Sequence, residues 1–229
     1  MRAGSLTFPK AFVRVPTVAL VSGGVESCAL IEVLLERGAS VIPLYVRGGL
    51  RWESVELAWL TRQLAQRHGP RLKPLVICSM SFRSLYADHW STTGRGVPSH
   101  RSADAAVYLP GRNVWLLTMA ATVAAQQRGS ALALGTLHGN PFGDATPEFF
   151  RTMAAALSQA LSHPLRIIAP LRRLTKTQAI RRFPHLPYHL TFSCIHPHGQ
   201  RHCGRCNKCA ERQRAFIGAG LSDPTQYAG

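Results

Sequence analysis

Four cysteines near the C-terminus carry the most specific chemistry in the sequence. Cys194, Cys203, Cys206 and Cys209 stand in SCIHPHGQRHCGRCNKC, a C-x8-C-x2-C-x2-C spacing, and the rest of the chain holds only Cys28 and Cys78. Four thiolates converging on one ion make a closed tetrahedral Zn2+ site, structural because no position stays open for substrate. An iron–sulfur cluster is the competing reading, since closely spaced cysteines also occur in ferredoxin-type runs. Disulfides suit a cytoplasmic chain poorly. His196, His198 and His202 could each replace a thiolate, although four cysteines complete the set without them. Gly204 eases the tight turn between ligands.

The second chemical stretch is Val18 to Cys28, VALVSGGVESC. Val18 to Val21 read as a short buried strand, Ser22-Gly23-Gly24 breaks it, and an amphipathic helix starts near Val25. Such a turn is an anion cradle: glycines let the backbone approach a phosphate, and the first free N–H groups of the helix point at it with the dipole behind them. Ser22 and Ser27 add hydroxyl donors. Neither a Walker loop nor a dinucleotide fingerprint is present. An ordinary strand-to-helix turn reads the same residues equally well.

These sites need a scaffold, and the composition supplies one. At 229 residues with 46% apolar side chains, the chain suits one α/β domain with a small appended module. No apolar run reaches the ~18 residues of a membrane helix, and MRAGSLTFPKAFVRVP has no continuous apolar stretch of signal-peptide type. A cytoplasmic protein without membrane attachment is the expectation. The charge is unusual: 27 basic against 11 acidic residues give +16, and 23 of the basic residues are arginine. Eleven basic residues lie between Arg166 and Arg214, where Glu211 is the lone acid. Such a field attracts phosphates, nucleic acid or acidic partners; a basic surface without a polymer partner is the plainer reading. No segment reads as an added RNA-binding domain. Anionic small ligands, with a homodimer or protein partner left open, are expected ahead of a nucleic-acid track.

Periodicity places the elements. Ala29, Leu30, Val33 and Leu34 recur at helical spacing until Gly38; Ser40 to Val46 is the second strand, Glu53 to His68 a helix, Leu72 to Cys78 a third strand. Ser79 to Arg112 reads as a long polar loop. Asn113 to Arg128 is helical, Ala131 to Leu134 a strand, and Gly135 to Ala145 a loop. Thr146 then caps a helix with Pro147 at its first position and Glu148 in its first turn. Arg166 to Ala169 is the last strand, and Thr175 caps a short helix that ends near Phe183. Alternating strands and helices predict a doubly wound parallel sheet with ligands at the carboxyl ends of its strands.

YLPGRN (Tyr108–Asn113), GTLHGNPFGDATPEF (Gly135–Phe149), APLRRLTKTQAI (Ala169–Ile180) and CAERQRAF (Cys209–Phe216) complete a recognisable order. The Ser22–Ser27 turn resembles the SGG-x-[DE]-S loop of the PP-loop ATP pyrophosphatases. From Pro16 to Phe216 the chain resembles their 7-cyano-7-deazaguanine synthase family, a queuosine-pathway branch. The resemblance implies a Rossmann-like PP-loop domain over 16–190, a zinc-binding segment and helix over 191–229, and an N-terminal extension over 1–15. It implies a ligase that uses ATP and Mg2+ to adenylylate a deazapurine carboxylate, 7-carboxy-7-deazaguanine, for attack by ammonia to give amide and then nitrile. Family variants that pass the acyl group to another amine, on a protein for instance, and basic tRNA-binding PP-loop proteins are the alternatives.

The implied catalytic residues are Ser22, Glu26, Ser27, Arg112 and Lys176. Ser22, Gly23, Gly24, Glu26, Ser27 and Arg112 would hold the nucleotide, Asn113 and Asp144 the deazapurine, and the four cysteines the metal. Each has a plainer role open to it. Arg112 could brace a loop, Asn113 cap a helix, Asp144 hold a turn, and Tyr108 and Phe142 anchor loops rather than stack on a base. Lys176 opens a helix, where the dipole disfavours a cation, so an anionic partner is expected. Glu26 would face Mg2+ or orient a neighbouring N–H or basic side chain. The chain departs from the family pattern at Glu26, where Asp is commonest, and in LYVRGGLRWESVEL (44–57), which lacks the usual Tyr-Gly-Gln-Arg-His. It departs also in the HGNPFG loop and at Thr146, where arginine is usual.

Overall fold

A computed structural model describes residues 16–228. The N-terminal extension expected over 1–15, with its reading against a signal peptide, lies outside the described residues. Strands and helices alternate as β1 (Thr17–Leu20), α1 (Val25–Glu36), β2 (Val41–Arg47), α2 (Glu53–Ala65) and β3 (Val76–Ser79). Two single-turn helices follow, α3 (Arg83–Tyr86) and α4 (Trp90–Thr93). The chain then runs through α5 (Arg112–Gln126), β4 (Ala131–Ala133), α6 (Pro147–Ala160), β5 (Arg166–Ile168), α7 (Lys176–Arg182) and α8 (Asn207–Ala219). The sheet is parallel throughout, in the order β3-β2-β1-β4-β5. Its direction of growth reverses between β1 and β4, and in such sheets the crevice at that reversal is where ligands bind.

Strand periodicity divides the core into two layers. Ala19, Val21, Val41, Tyr45 and Ala133 face a layer built with α1, α7 and α8. Val18, Ile42, Leu44, Val46, Leu132 and Leu134 face the other, built with α5 and α6. Helix ends follow the sequence: Gly38 stops α1 at φ +77°, Thr146 Oγ1 accepts the Phe149 N–H, and Thr175 forms a capping box with Gln178. No helix among the described residues is long and apolar enough to cross a membrane.

Two expectations change. The third strand was read from Leu72, yet regular pairing starts at Val76, preceded by an isolated bridge from Val41 to Leu72. Val41 donates its N–H toward this strand, to Arg71 O, so Pro43, two residues on, turns its missing donor to the same side; Pro74 lacks a donor as well. The register shifts by one residue across that gap, from Val41↔Leu72 to Leu44↔Val76. The stretch from Ser79 to Arg112 is ordered rather than an open loop. Phe82 is buried, Trp52 stacks on Trp90 at 5.7 Å, and the Asn207 N–H reaches Pro98 O.

Several of the eleven basic residues between Arg166 and Arg214 make contacts within the fold. Arg212 is fully buried; it donates to Asp223 Oδ1 (3.0 Å), Thr191 Oγ1 (2.6 Å) and Tyr188 O (3.0 Å), beneath the Phe216 ring. Arg181 ties α7 to Gly218 O and Ala219 O, while Lys176 and Lys208 are ion-paired. The charge run is partly a set of structural anchors. Replacing Asp223 by Asn strands the buried Arg212 charge, and urea unfolding should show a loss of ~3 kcal/mol. A loss under 1 kcal/mol would mean that the hydroxyl and carbonyl acceptors suffice.

Candidate active site

The carboxyl ends of β1, β2 and β4 open into a cavity of about 380 Å3. Ser22, Glu26 and Ser27 form one wall, Arg112, Asn113 and Asp144 another, and Lys176, Lys208 and Glu211 close it from α7 and α8. All seven residues that the sequence singles out as catalytic or substrate-binding line this one space.

The glycine turn is built for close approach. Gly23 adopts φ +81°, and a Cβ there would lie 3.1 Å from Leu60 Cβ, so α2 packs directly on the loop. Gly23 O accepts the Phe192 N–H at 2.9 Å and the Gln63 amide at 3.4 Å, which ties the loop to the segment before the cysteines. Ser27 turns inward: its Oγ accepts the Ser22 N–H at 2.9 Å and lies 3.2 Å from Ser22 Oγ. Ser27 therefore braces the loop while Ser22 faces the cavity beside it. The N–H groups of Val25, Glu26 and Ser27 meet no acceptor among the described residues. These are the orphan donors of a helix N-terminus, suited to anionic oxygens.

Arg112 makes no ion pair among the described residues, and its Nε is buried without a partner. A guanidinium left unmatched at a cavity wall suits an incoming anion. Asn113 is not the helix cap, because α5 starts at Arg112 after Gly111 at φ +70°. Asp144 does the capping from across the cavity: its Oδ2 accepts the Asn113 N–H (3.1 Å), and its backbone O accepts Asn113 Nδ2 (2.9 Å). Tyr108 and Phe142 stack on each other at 4.9 Å and 29°, leaving no gap for a base between them.

Lys176 is the most constrained charge. Its Nζ lies 2.7 Å from Glu26 Oε1 and 2.7 Å from Glu211 Oε1, with its side chain 8% exposed. Burial works against the ammonium, but the two carboxylates outweigh it and hold its pKa above the ordinary value. Glu211 also meets Lys208 at 2.8 Å. Burial opposes its charge too, yet Lys176 and Lys208 pull its pKa down to about 2. Glu56 was not singled out from the sequence. It is buried on α2, accepts the Tyr45 hydroxyl at 2.8 Å, and lines the cavity. A pair of glutamates three apart opening a helix was the available signal, but Glu53 only accepts the Gly48 and Gly49 N–H groups at 2.6 and 3.0 Å.

The four cysteines converge beside this wall. All four Sγ atoms lie within 4.8 Å of one another, with Cys194–Cys206 and Cys203–Cys209 both at 3.9 Å. Metal–sulfur bonds of ~2.3 Å in a tetrahedron put sulfurs roughly 3.8 Å apart, so the set fits one ion and not disulfides. Backbone N–H groups of His196, Cys203, Arg205 and Cys206 point at the sulfurs over 3.3–3.4 Å. His202 is no ligand here; its Nε2 accepts the Ser193 N–H, and burial, then Arg212, lowers its pKa to about 4.

Glu211 gives a pH signature with a definite sign. Its folded pKa of about 2 lies below its ordinary 4.5, so its stabilisation is complete above pH 4.5 and lost as pH falls toward 2. Between pH 6 and 3, the wild type should lose stability more steeply than Glu211→Gln in urea unfolding; parallel curves would refute the pairing.

Known proteins resemble the chain over nearly its whole length. The family model described as "Queuosine biosynthesis protein QueC" matches residues 16–220. The 7-cyano-7-deazaguanine synthase of Anaeromyxobacter dehalogenans is 34% identical over 224 residues, covering 92% of this chain and 95% of its own. That of Methanoculleus marisnigri is 31% identical over 222 residues, covering 92% and 97%. Among solved structures, a 4-thiouridine synthetase in complex with RNA and bound ATP shares the fold at a TM-score of 0.50 and 15% identity, over 90% of this chain and 50% of its own. The chain belongs to the QueC family of queuosine biosynthesis proteins.

Proposed function

We propose that the chain is an ATP-dependent carbon–nitrogen ligase that converts 7-carboxy-7-deazaguanine, through its amide, to the nitrile with ammonia. One observation supports this above the rest. An unpaired guanidinium, a helix N-terminus with free N–H groups and a buried lysine from three separate elements converge on one cavity. A carboxylate does not react with an amine until one oxygen becomes a leaving group, and adenylylation by ATP supplies that. Charge then develops on phosphate and acyl oxygen, where fixed donors act best. Gly23, Gly24 and Ser22 would cradle the polyphosphate, with Ser27 holding the cradle's shape. Arg112 and Lys176 would meet developing charge. Mg2+ would supply further neutralisation, with Glu26, in the first turn of α1, as the carboxylate to hold it. Asn113 and Asp144 would form the deazapurine end, Asp144 with the carboxylate oxygen that Asn113 leaves open.

The test combines purified protein with ATP, Mg2+, ammonium and the carboxy-deazaguanine, with mass spectrometry as readout. Amide, then nitrile, with AMP and pyrophosphate is the expected result. ATP binding without turnover of any deazapurine carboxylate would sink the assignment. Acyl transfer only to an added amine or protein would redirect it to the variant chemistry.

Zinc is the ion the four thiolates would hold, as a structural centre. Iron–sulfur chemistry is disfavoured by sulfur spacings that suit one ion, because a multi-iron cluster spreads its thiolates over several metals. Lys208 and Glu211 sit on the helix that carries Cys209, so the metal should also order the cavity wall. Protein purified without oxygen should contain one zinc per chain, and Cys206→Ser should weaken ATP binding more than ~10-fold by calorimetry. Iron with stoichiometric sulfide would overturn the zinc reading.

A further inference from the structure

Five carboxylates line the cavity: Glu26, Glu56, Asp104, Asp144 and Glu211. Glu26 and Glu211 are held by lysines, Asp144 by the Asn113 N–H, and Asp104 by Asn207 Nδ2 at 3.3 Å. Glu56 is held by a single hydroxyl, that of Tyr45 on Oε2, and its Oε1 accepts no hydrogen bond among the described residues. Carbon–nitrogen bond formation makes a demand that the two lysine-paired groups, Glu26 and Glu211, meet poorly. The nitrogen must shed protons, and a carboxylate locked on an ammonium is a poor acceptor for them.

We propose that Glu56 is a further catalytic residue, the proton acceptor for the nitrogen in both halves of the reaction; this rests on the ligase reading above. In the first half the ammonia lone pair forms the C–N bond to the acyl carbon. The C–O bond to AMP breaks, AMP leaves with the electron pair, and the nitrogen passes one proton to Glu56. In the second half the amide oxygen displaces pyrophosphate from another ATP. Its C–O bond then breaks with AMP as leaving group while the nitrogen loses its two protons and the C≡N bond completes. Glu56 takes these protons in turn and returns them to water.

The surroundings of Glu56 poise it for the task. Burial raises its pKa most, Arg112 of α5 and the Tyr45 hydroxyl of β2 lower it, and Glu53 of its own helix raises it, leaving it at about 7. Near neutral pH such a group can both accept and release a proton, the condition under which general-base catalysis is most effective. A buried glutamate paired only to a phenol also has a plainer role, to hold Tyr45 in place, and the experiment separates the two.

Wild type, Glu56→Gln and Tyr45→Phe are compared with saturating ATP, Mg2+, ammonium and carboxy-deazaguanine across pH 5.5–9. Three readouts are taken: ATP–pyrophosphate exchange, which reports adenylylation alone, then amide, then nitrile. Glu56→Gln should keep exchange within ~3-fold, showing an intact fold and nucleotide site, while amide and nitrile formation fall ~100-fold. The wild-type rate should rise with pH through about 7, as the carboxylate form appears. The rise should vanish in Glu56→Gln and move to higher pH in Tyr45→Phe, which loses a bond favouring the carboxylate. Glu56→Gln with wild-type product rates, or with an unchanged pH profile, overturns the assignment and leaves the ligase reading standing. Equal loss of exchange and product assigns Glu56 to structure and also overturns it. Wild type with neither exchange nor product removes the ligase reading, and this inference with it.

Discussion

A buried lysine between two carboxylates holds the working end of this molecule together. Lys176 begins α7, Glu26 begins α1, and Glu211 lies in α8. The three helices are brought to one point by a single ammonium. Burying that charge is costly, and the Coulomb gain exceeds the cost only because both carboxylates sit at 2.7 Å. Removing either would leave a charge at the cavity wall with half its compensation. The contact cannot be traded for an apolar one without removing one of the cavity's cations.

The rest of the fold can be understood as what delivers those three residues. β1 ends in the glycine turn that starts α1, so Glu26 is placed by the strand. The loop after β4 lies over α1, where a Cβ at Gly135 would come within 3.1 Å of Glu26 Cβ. That loop is pinned near α7 by the His138 N–H on Leu174 O. α8 is placed by the cysteine cluster at its N-terminus and packs along α7. Phe192 and Cys194, between α7 and α8, join the same apolar cluster as Trp52 and Leu109, so the segment from 79 to 112 is ordered from the metal-binding side. The charge chain Glu26–Lys176–Glu211–Lys208 thus runs from the glycine loop to the cysteine cluster without a break.

What was legible in the sequence is what local chemistry dictates. Strand-to-helix alternation, the caps at Thr146 and Thr175, the stop at Gly38 and the four-cysteine spacing each depend on neighbours within a few residues. The expectation that Lys176 needs an anionic partner came from one principle, the helix dipole, and the structure answers it twice. The misses are non-local. The one-turn helices after Ser81 are held by Trp52 on Trp90, by the Arg51 N–H on Ser91 O and by the Tyr86 hydroxyl on Pro110 O, and no periodicity fits in one turn. The late start of β3 depends on Pro43 in another strand. Glu56 was invisible because its chemistry arises from burial beside Tyr45, and a sequence does not state which of Glu53 and Glu56 turns inward.

The departure at position 26 gains a physical meaning from these distances. The family to which the chain belongs most often carries Asp where this chain has Glu, one methylene longer. Here that length is used: Glu26 Oε1 reaches Lys176 at 2.7 Å, and an Asp on the same backbone would fall about one bond short. At separations this close, an ångström decides whether an ion pair also keeps its hydrogen bond. The first turn of α1 and the start of α7 therefore stand as far apart as Glu requires, and Gly135 fits against the Glu26 Cβ without a side chain of its own. Thr146 shows the same local refitting: in place of the family's usual arginine it caps α6, its hydroxyl accepting the Phe149 N–H and donating to Gly143 O. The substitutions are not isolated losses from an inherited pattern. Each is matched by a contact that the substituted residue itself makes: Glu26 with Lys176, Thr146 with Phe149 N–H and Gly143 O.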